Sequence, residues 1–149
     1  MRAYDDGVMK KLITILMIIP TVAFARIGEN KAQCDTRYGT AYPVSGNPDA
    51  TRYKKHGFLI KVEFYKGKCH EIIYVNPDKT GLTDSELNAF LRANGTGWVK
   101  VGSTHLKQWV NPSSKAYSVD DAIQISTREY ERKQEMDKER KKSEQLGDF

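Results

Sequence analysis

A cysteine thiol becomes a nucleophile when a nearby histidine can take its proton. Cys34 and Cys69, with His56, His70 and His105, are therefore the first residues to weigh. His70 follows Cys69 directly, but on a strand adjacent side chains point to opposite faces, so this adjacency means separation. None of the histidines stands at a metal-ligand spacing such as H-x(3)-H, and no cysteine pair forms C-x-x-C. There is no G-x-S-x-G elbow and no phosphate loop. Glu71 with Asp78 can be drawn as a carboxylate pair, but any chain with this many acids permits that drawing. The residues thus assign no catalytic group, no metal ligand and no cofactor. They point to a non-catalytic binding or envelope-associated module. The alternative is a small secreted hydrolase-like enzyme using a histidine with a cysteine or a carboxylate.

What cysteines can do depends on compartment. The apolar run from Leu12 to Ala25 is fourteen residues, short of the roughly 20 a spanning helix needs. Lys10 and Lys11 precede it, and Ala23 and Ala25 supply an A-x-A-like end, the pattern of a cleaved secretory signal. Asp5 and Asp6 fit that pattern badly, so Met9 is a more ordinary start than Met1. Cys34 lies nine residues past Ala25, too far for an acylated lipoprotein cysteine. The expected product begins at Arg26, is periplasmic or secreted, and has no stable membrane insertion.

Lys and Arg number 24 against 19 Asp and Glu, a net charge of +5. Removing the leader takes away Arg2, Lys10 and Lys11 with Asp5 and Asp6, which leaves the balance mildly basic. Bases alternate with acids along the chain, whereas a nucleic-acid reader concentrates them on one face. No nucleic-acid partner is expected; a protein or glycan partner fits.

The pattern predicts one α+β domain over 26–127, ordered helix, β-hairpin, helix, β-meander, with two short helices packed on antiparallel sheet. A first helix is read from Glu29 to Tyr38, ended by Gly39, with Cys34 and Tyr38 on one face. Residues 40–53, with Pro43, Gly46 and Pro48, read as loop. Strands follow at 58–65 and 69–75 across a turn at Gly67. The second helix carries every boundary mark: Thr83 as N-cap, Glu86 for a capping box, Leu82 and Leu87 as staple, Asn94 and Gly95 at its end. Short strands are read at 98–101, 106–110, 116–119 and 122–127. The two halves suggest a loose repeat without residue-level identity. Residues 128–149 form a charged solvent helix or a disordered tail, with Glu129–Lys133 and Asp137–Lys141 as i,i+4 pairs.

If Tyr65 faces Lys68, then Phe64 faces Cys69, Ile60 faces Ile73 and Phe58 faces Val75, all on one side. A three-residue loop would instead turn His70, Ile72 and Tyr74 inward; the first register keeps the histidine out of the core. Tyr65, Ile72 and Tyr74 then face the other way with Leu59, among Lys61, Lys68 and His70. That aromatic, partly basic face either binds a protein or glycan or forms a second core layer under the later strands. Trp98 and Trp109 read as core or sheet-edge packing.

The stretch "RIGENKAQCDTRYG" resembles the opening of a group of small exported bacterial proteins without an assigned activity. The shared positions are Arg26, Gly28, Glu29, Gln33, Cys34, Arg37, Tyr38 and Gly39. More remotely, the layout is similar to the modules of the small outer-membrane-assembly lipoprotein and the β-lactamase inhibitor protein. There a G-x(5)-V-x(3)-L-G helix precedes a hairpin with F-x(4)-V-x(3)-I. Here Gly28, Cys34, Tyr38 and Gly39 stand at the helix positions, and Phe64, Cys69 and Ile73 at the hairpin positions. This resemblance implies binding rather than catalysis. It also implies that Cys34 and Cys69 face each other between helix and sheet. A disulfide there would contribute roughly 3–4 kcal/mol in the chain-entropy model; the alternative is two buried thiols.

Overall fold

Two runs of β-branched and aromatic residues, 58–65 and 68–75, lie side by side in the interior of the sheet. The computed structural model describes residues 26–102 and 106–147; the leader with both candidate start sites, and His105, lie outside the described residues. In chain order the elements are α1 (Lys31–Tyr38), β1 (Tyr42–Val44), β2 (Asn47–Lys55), β3 (Phe58–Tyr65), β4 (Lys68–Val75) and α2 (Asp84–Ala93). There follow β5 (Val99–Val101), β6 (Lys107–Val110), β7 (Ser114–Val119), β8 (Ala122–Thr127) and α3 (Arg128–Gly147). The strands make a single antiparallel sheet in the order β1-β2-β3-β4-β8-β7-β6-β5. Two four-stranded meanders, each preceded by a helix, are therefore joined at the β4–β8 seam. The α+β class and the helix-first order are as predicted.

The residues expected to be loop at 40–53 are instead β1 and most of β2. Thr51 and Tyr53 point to the core, and Arg52 and Lys54 away from it, so the period of two is present but carried by polar residues. Pro48 precedes the first pair that β2 makes with β3, at Ala50, where its missing N–H costs no bond to that neighbour.

The β3–β4 register follows neither expected alternative. Tyr65 pairs with Lys68 and Phe64 with Cys69, as predicted, but a bulge then intervenes and Glu63 pairs with Glu71. His70 is the extra residue. Beyond it Val62 meets Ile72, Ile60 meets Tyr74 and Lys61 meets Ile73, in place of the expected Ile60–Ile73 and Phe58–Val75 pairs. One inserted residue reverses every later side chain of β4. Cys69, Ile72 and Tyr74 consequently all face the core, and Ile73 faces away.

Both short helices cover that core face. α1 is opened by Asn30, whose side chain accepts from the Gln33 N–H at 2.9 Å while Gln33 accepts from the Asn30 N–H at 2.9 Å. This capping box went unread in the sequence. Gly39, at φ 88°, ends the helix and donates to the Asp35 carbonyl. The chain just before α1 is pinned to β4: the Gly28 N–H donates to the Cys69 carbonyl and the Cys69 N–H to the Glu29 carbonyl, each at 2.7 Å. α2 begins at Thr83 with the predicted reciprocal box to Glu86 and buries Leu87, Phe90 and Leu91.

Tyr74 joins the two helices. Its ring stacks on Phe90 at 4.1 Å between centroids, and its hydroxyl lies 3.4 Å from that of Tyr38 and accepts from Asn94 Nδ2 at 3.2 Å. Asn94 Oδ1 in turn accepts from the Ile27 N–H. The polar atoms buried between α1, α2 and the sheet are thus bonded to one another. Trp98 and Trp109 pack against this core, and Trp98 Nε1 donates to the Leu91 carbonyl.

α3 is a 20-residue helix whose first turn docks on the sheet. Tyr130 is buried, and its hydroxyl donates to Glu63. Glu131 accepts from Ser126 and pairs with Lys115. The expected pairs Glu129–Lys133 and Asp137–Lys141 are not formed. Lys66, on the β3–β4 turn, reaches Glu129 instead, and within the helix Asp137 is taken by Lys133 and Arg140.

Candidate binding face

The sheet surface opposite α1 and α2 carries three rows of side chains. One row runs Ala50, Glu63, Glu71, Ser126 and Lys115. The next runs Tyr42, Arg52, Lys61, Ile73, Gln124 and Tyr117. The third runs Lys54, Leu59, Val75, Ala122 and Val119. The first turn of α3 lies over the first row; the other two remain open.

The closed row is polar and satisfied. Glu63 accepts from Tyr130 and pairs with Lys61. Burial opposes its ionisation, but these partners prevail and hold the carboxyl below its usual range. Glu71, buried and accepting from Gln124 Nε2 at 2.6 Å, is shifted upward, first by burial and then by the charge of Glu63. The carboxylate beside Glu71 is Glu63 rather than Asp78.

The open rows form a trough of about 580 Å³. Leu59, Ile73 and Val75 supply its apolar floor, Tyr42 one wall, and Arg52, Lys54 and Lys61 its charged border. Leu59 is 39% exposed and Tyr42 51%. Of the side chains predicted to form a binding face, Leu59 and Lys61 belong to this trough. Ile72 and Tyr74 do not: both are fully buried under the helices, because the His70 bulge turns them inward.

Tyr65 and His70 come together at the start of α3, with ring centroids 5.5 Å apart and each 6.2 Å from Tyr130. His70 Nδ1 is 2.7 Å from Thr127 Oγ1, and burial holds the imidazole pKa below its ordinary value. The predicted face is thus divided between core, α3 contact and trough. The residues that reading missed are Tyr42, Arg52, Lys54, Ile73 and Val75. The alternation of Thr51 and Tyr53 with Arg52 and Lys54 was the available signal.

Cys34, on α1, and Cys69, on β4, are both fully buried in the core cluster. They are free thiols, so the disulfide expected between them is not formed. The sulfurs are not at bonding distance, and Cys69 Sγ is directed to the Glu71 carbonyl at 3.7 Å on its own strand. Burial, then the charges of Glu29 and Asp35, raise the Cys34 thiol to about 12. Cys69 is raised likewise, chiefly by burial. Among the described residues no group of three or more His, Cys, Asp or Glu is placed to hold a metal, and no helix is long and apolar enough to cross a membrane.

Compared with protein-family models, curated proteins and solved structures, the chain matches none.

Proposed function

We propose that this chain is an exported, non-catalytic binding module that works through the open face of its sheet. The observation that carries the reading is the trough. A floor of Leu59, Ile73 and Val75 is left uncovered on the sheet face opposite the two short helices. Its volume lies in the range of small-molecule sites, and its mix of apolar floor and few polar groups is the usual one. The buried, high-pKa thiols are the opposite of a nucleophilic cysteine environment. His70 is engaged with Thr127 rather than with a thiol. Export rests on the leader pattern and on the resemblance of the Arg26–Gly39 stretch to small exported proteins.

A neutral solvatochromic dye, Nile red, tests the face. It should brighten on the native protein and fail to do so on Leu59→Asp, with unchanged circular dichroism. Equal response in both proteins, or none in either, overturns the reading. N-terminal sequencing of protein from an envelope fraction tests export: a chain starting at Arg26 supports it, and an intact Ala25–Arg26 bond removes it.

A further inference from the structure

We propose that the trough takes a free, single-chain amphipathic anion: an apolar chain ending in a carboxylate or phosphate group. The inference rests on the binding reading above and adds the chemistry of the ligand.

The argument begins with charge. Arg52 and Lys61 stand directly opposite each other on β2 and β3. Like charges so placed destabilise a sheet unless something compensates them. Lys61 is compensated by Glu63. Arg52 is not, and neither is Lys54, two residues along on the same face. Among the described residues neither takes part in an ion pair. Both are exposed, so they are free to reach one negative group lying between them. Successive same-face positions on a strand are about 7 Å apart, which one carboxylate or phosphate bridges.

The apolar half adjoins the cations in the same row. Lys54 pairs with Leu59, Leu59 with Val75 and Val75 with Ala122. That is three strand spacings, about 14 Å, leading from a cation over aliphatic side chains. Ile73 and Tyr42 flank the path. A head group at Arg52 and Lys54 with a chain across Leu59 and Val75 meets both chemistries at once. A cationic or neutral amphiphile meets only the second. A wholly acidic polymer meets only the first.

The test uses dodecanoate, dodecyl phosphate, dodecyl maltoside and dodecyltrimethylammonium, each below its micelle concentration, displacing Nile red at low ionic strength. Both anions should bind about tenfold or more tightly than the neutral and cationic chains, as expected for one charge-assisted contact. The double variant Arg52→Gln/Lys54→Gln should lose that preference and keep the dye. If the dye binds but all four amphiphiles displace it equally, the proposal fails while the binding face stands. If the dye does not bind, both fail. Displacement by polyglutamate without displacement by dodecanoate, or binding only to phosphatidylglycerol vesicles, also overturns it, in favour of an acidic polypeptide or a lipid surface respectively.

Discussion

Glu63 and Glu71 face each other across β3 and β4, the last matched pair before the bulge. Their surroundings push them apart. Glu63, held by Lys61 and Tyr130, is the easier to ionise; Glu71, buried beside that charge, is the harder, because burial and Glu63 outweigh the help of Gln124 and Lys61.

The two carboxyls load stability in opposite directions. Glu63 has a lowered folded pKa, so its contribution is present above the unfolded carboxylate range and is lost as pH falls through the folded value. Glu71 has a raised folded pKa, so its contribution is present in acid and is lost as pH rises from the unfolded through the folded value. Glu71→Gln should therefore be more stable than wild type at pH 7, with the gap closing as pH falls below the carboxylate range. Urea melts of both proteins at several pH values measure this. A gap independent of pH would show that the charge of Glu71 is not the cause.

Tyr130 fastens α3. Tyr130→Phe keeps the ring and loses the hydroxyl bond to the Glu63 carboxylate, which should cost about 1.5–3 kcal/mol. Tyr130→Ala also loses the contacts with Tyr65 and His70 and should cost more. In the alanine variant, amides of α3 should exchange with solvent faster while those of β3 and β4 keep their protection. Hydrogen exchange by mass spectrometry resolves the two segments.

Cys34 and Cys69 should both resist a thiol reagent in the native protein, being fully buried with raised pKa values. Two equivalents should react once denaturant is added. Rapid labelling of the native chain would contradict the burial. Absence of free thiols after denaturation would mean that the sulfurs had joined.

Gly95 has φ 144°, and a Cβ there would lie 2.9 Å from Asn111 Nδ2. The same Asn111 side chain accepts from the Ser113 and Ser114 N–H groups and shapes the β6–β7 turn. Gly95→Ala should cost about 1–3 kcal/mol. A melting temperature equal to wild type would sink this.

How much of this was written in the sequence differs by element. α2 was legible to the residue at its start, because Thr83 and Glu86 satisfy local backbone groups and need no tertiary partner. β3 followed from alternation of bulky residues, β4 from the turn at Gly67, and β7 and β8 from short β-favouring runs. β2 did not, since its outward positions are Arg52 and Lys54 and its start carries Pro48. The greater loss came from one residue. Nothing around His70 announces a bulge, and without it the inward and outward sets of β4 exchange. The expected register consequently puts Ile72 and Tyr74 on the face away from the helices, and Ile73 and Val75 on the face toward them. The docking of α3's first turn on the sheet was missed because a single tyrosine among charges gives no periodic signal.

The β4–β8 seam carries a consequence for how the chain assembles. β1 to β4 are neighbours in sequence, and each can zip to the next as it appears. β4 must then wait for a partner 53 residues downstream, the distance separating Glu71 from Gln124. Until β8 arrives, the outer margin of β4 is an unsheltered row of amides and carbonyls, open to another molecule's strand. A product cut short before Ala122 should accordingly clump, and the nascent protein is most vulnerable in the interval between these two ribbons.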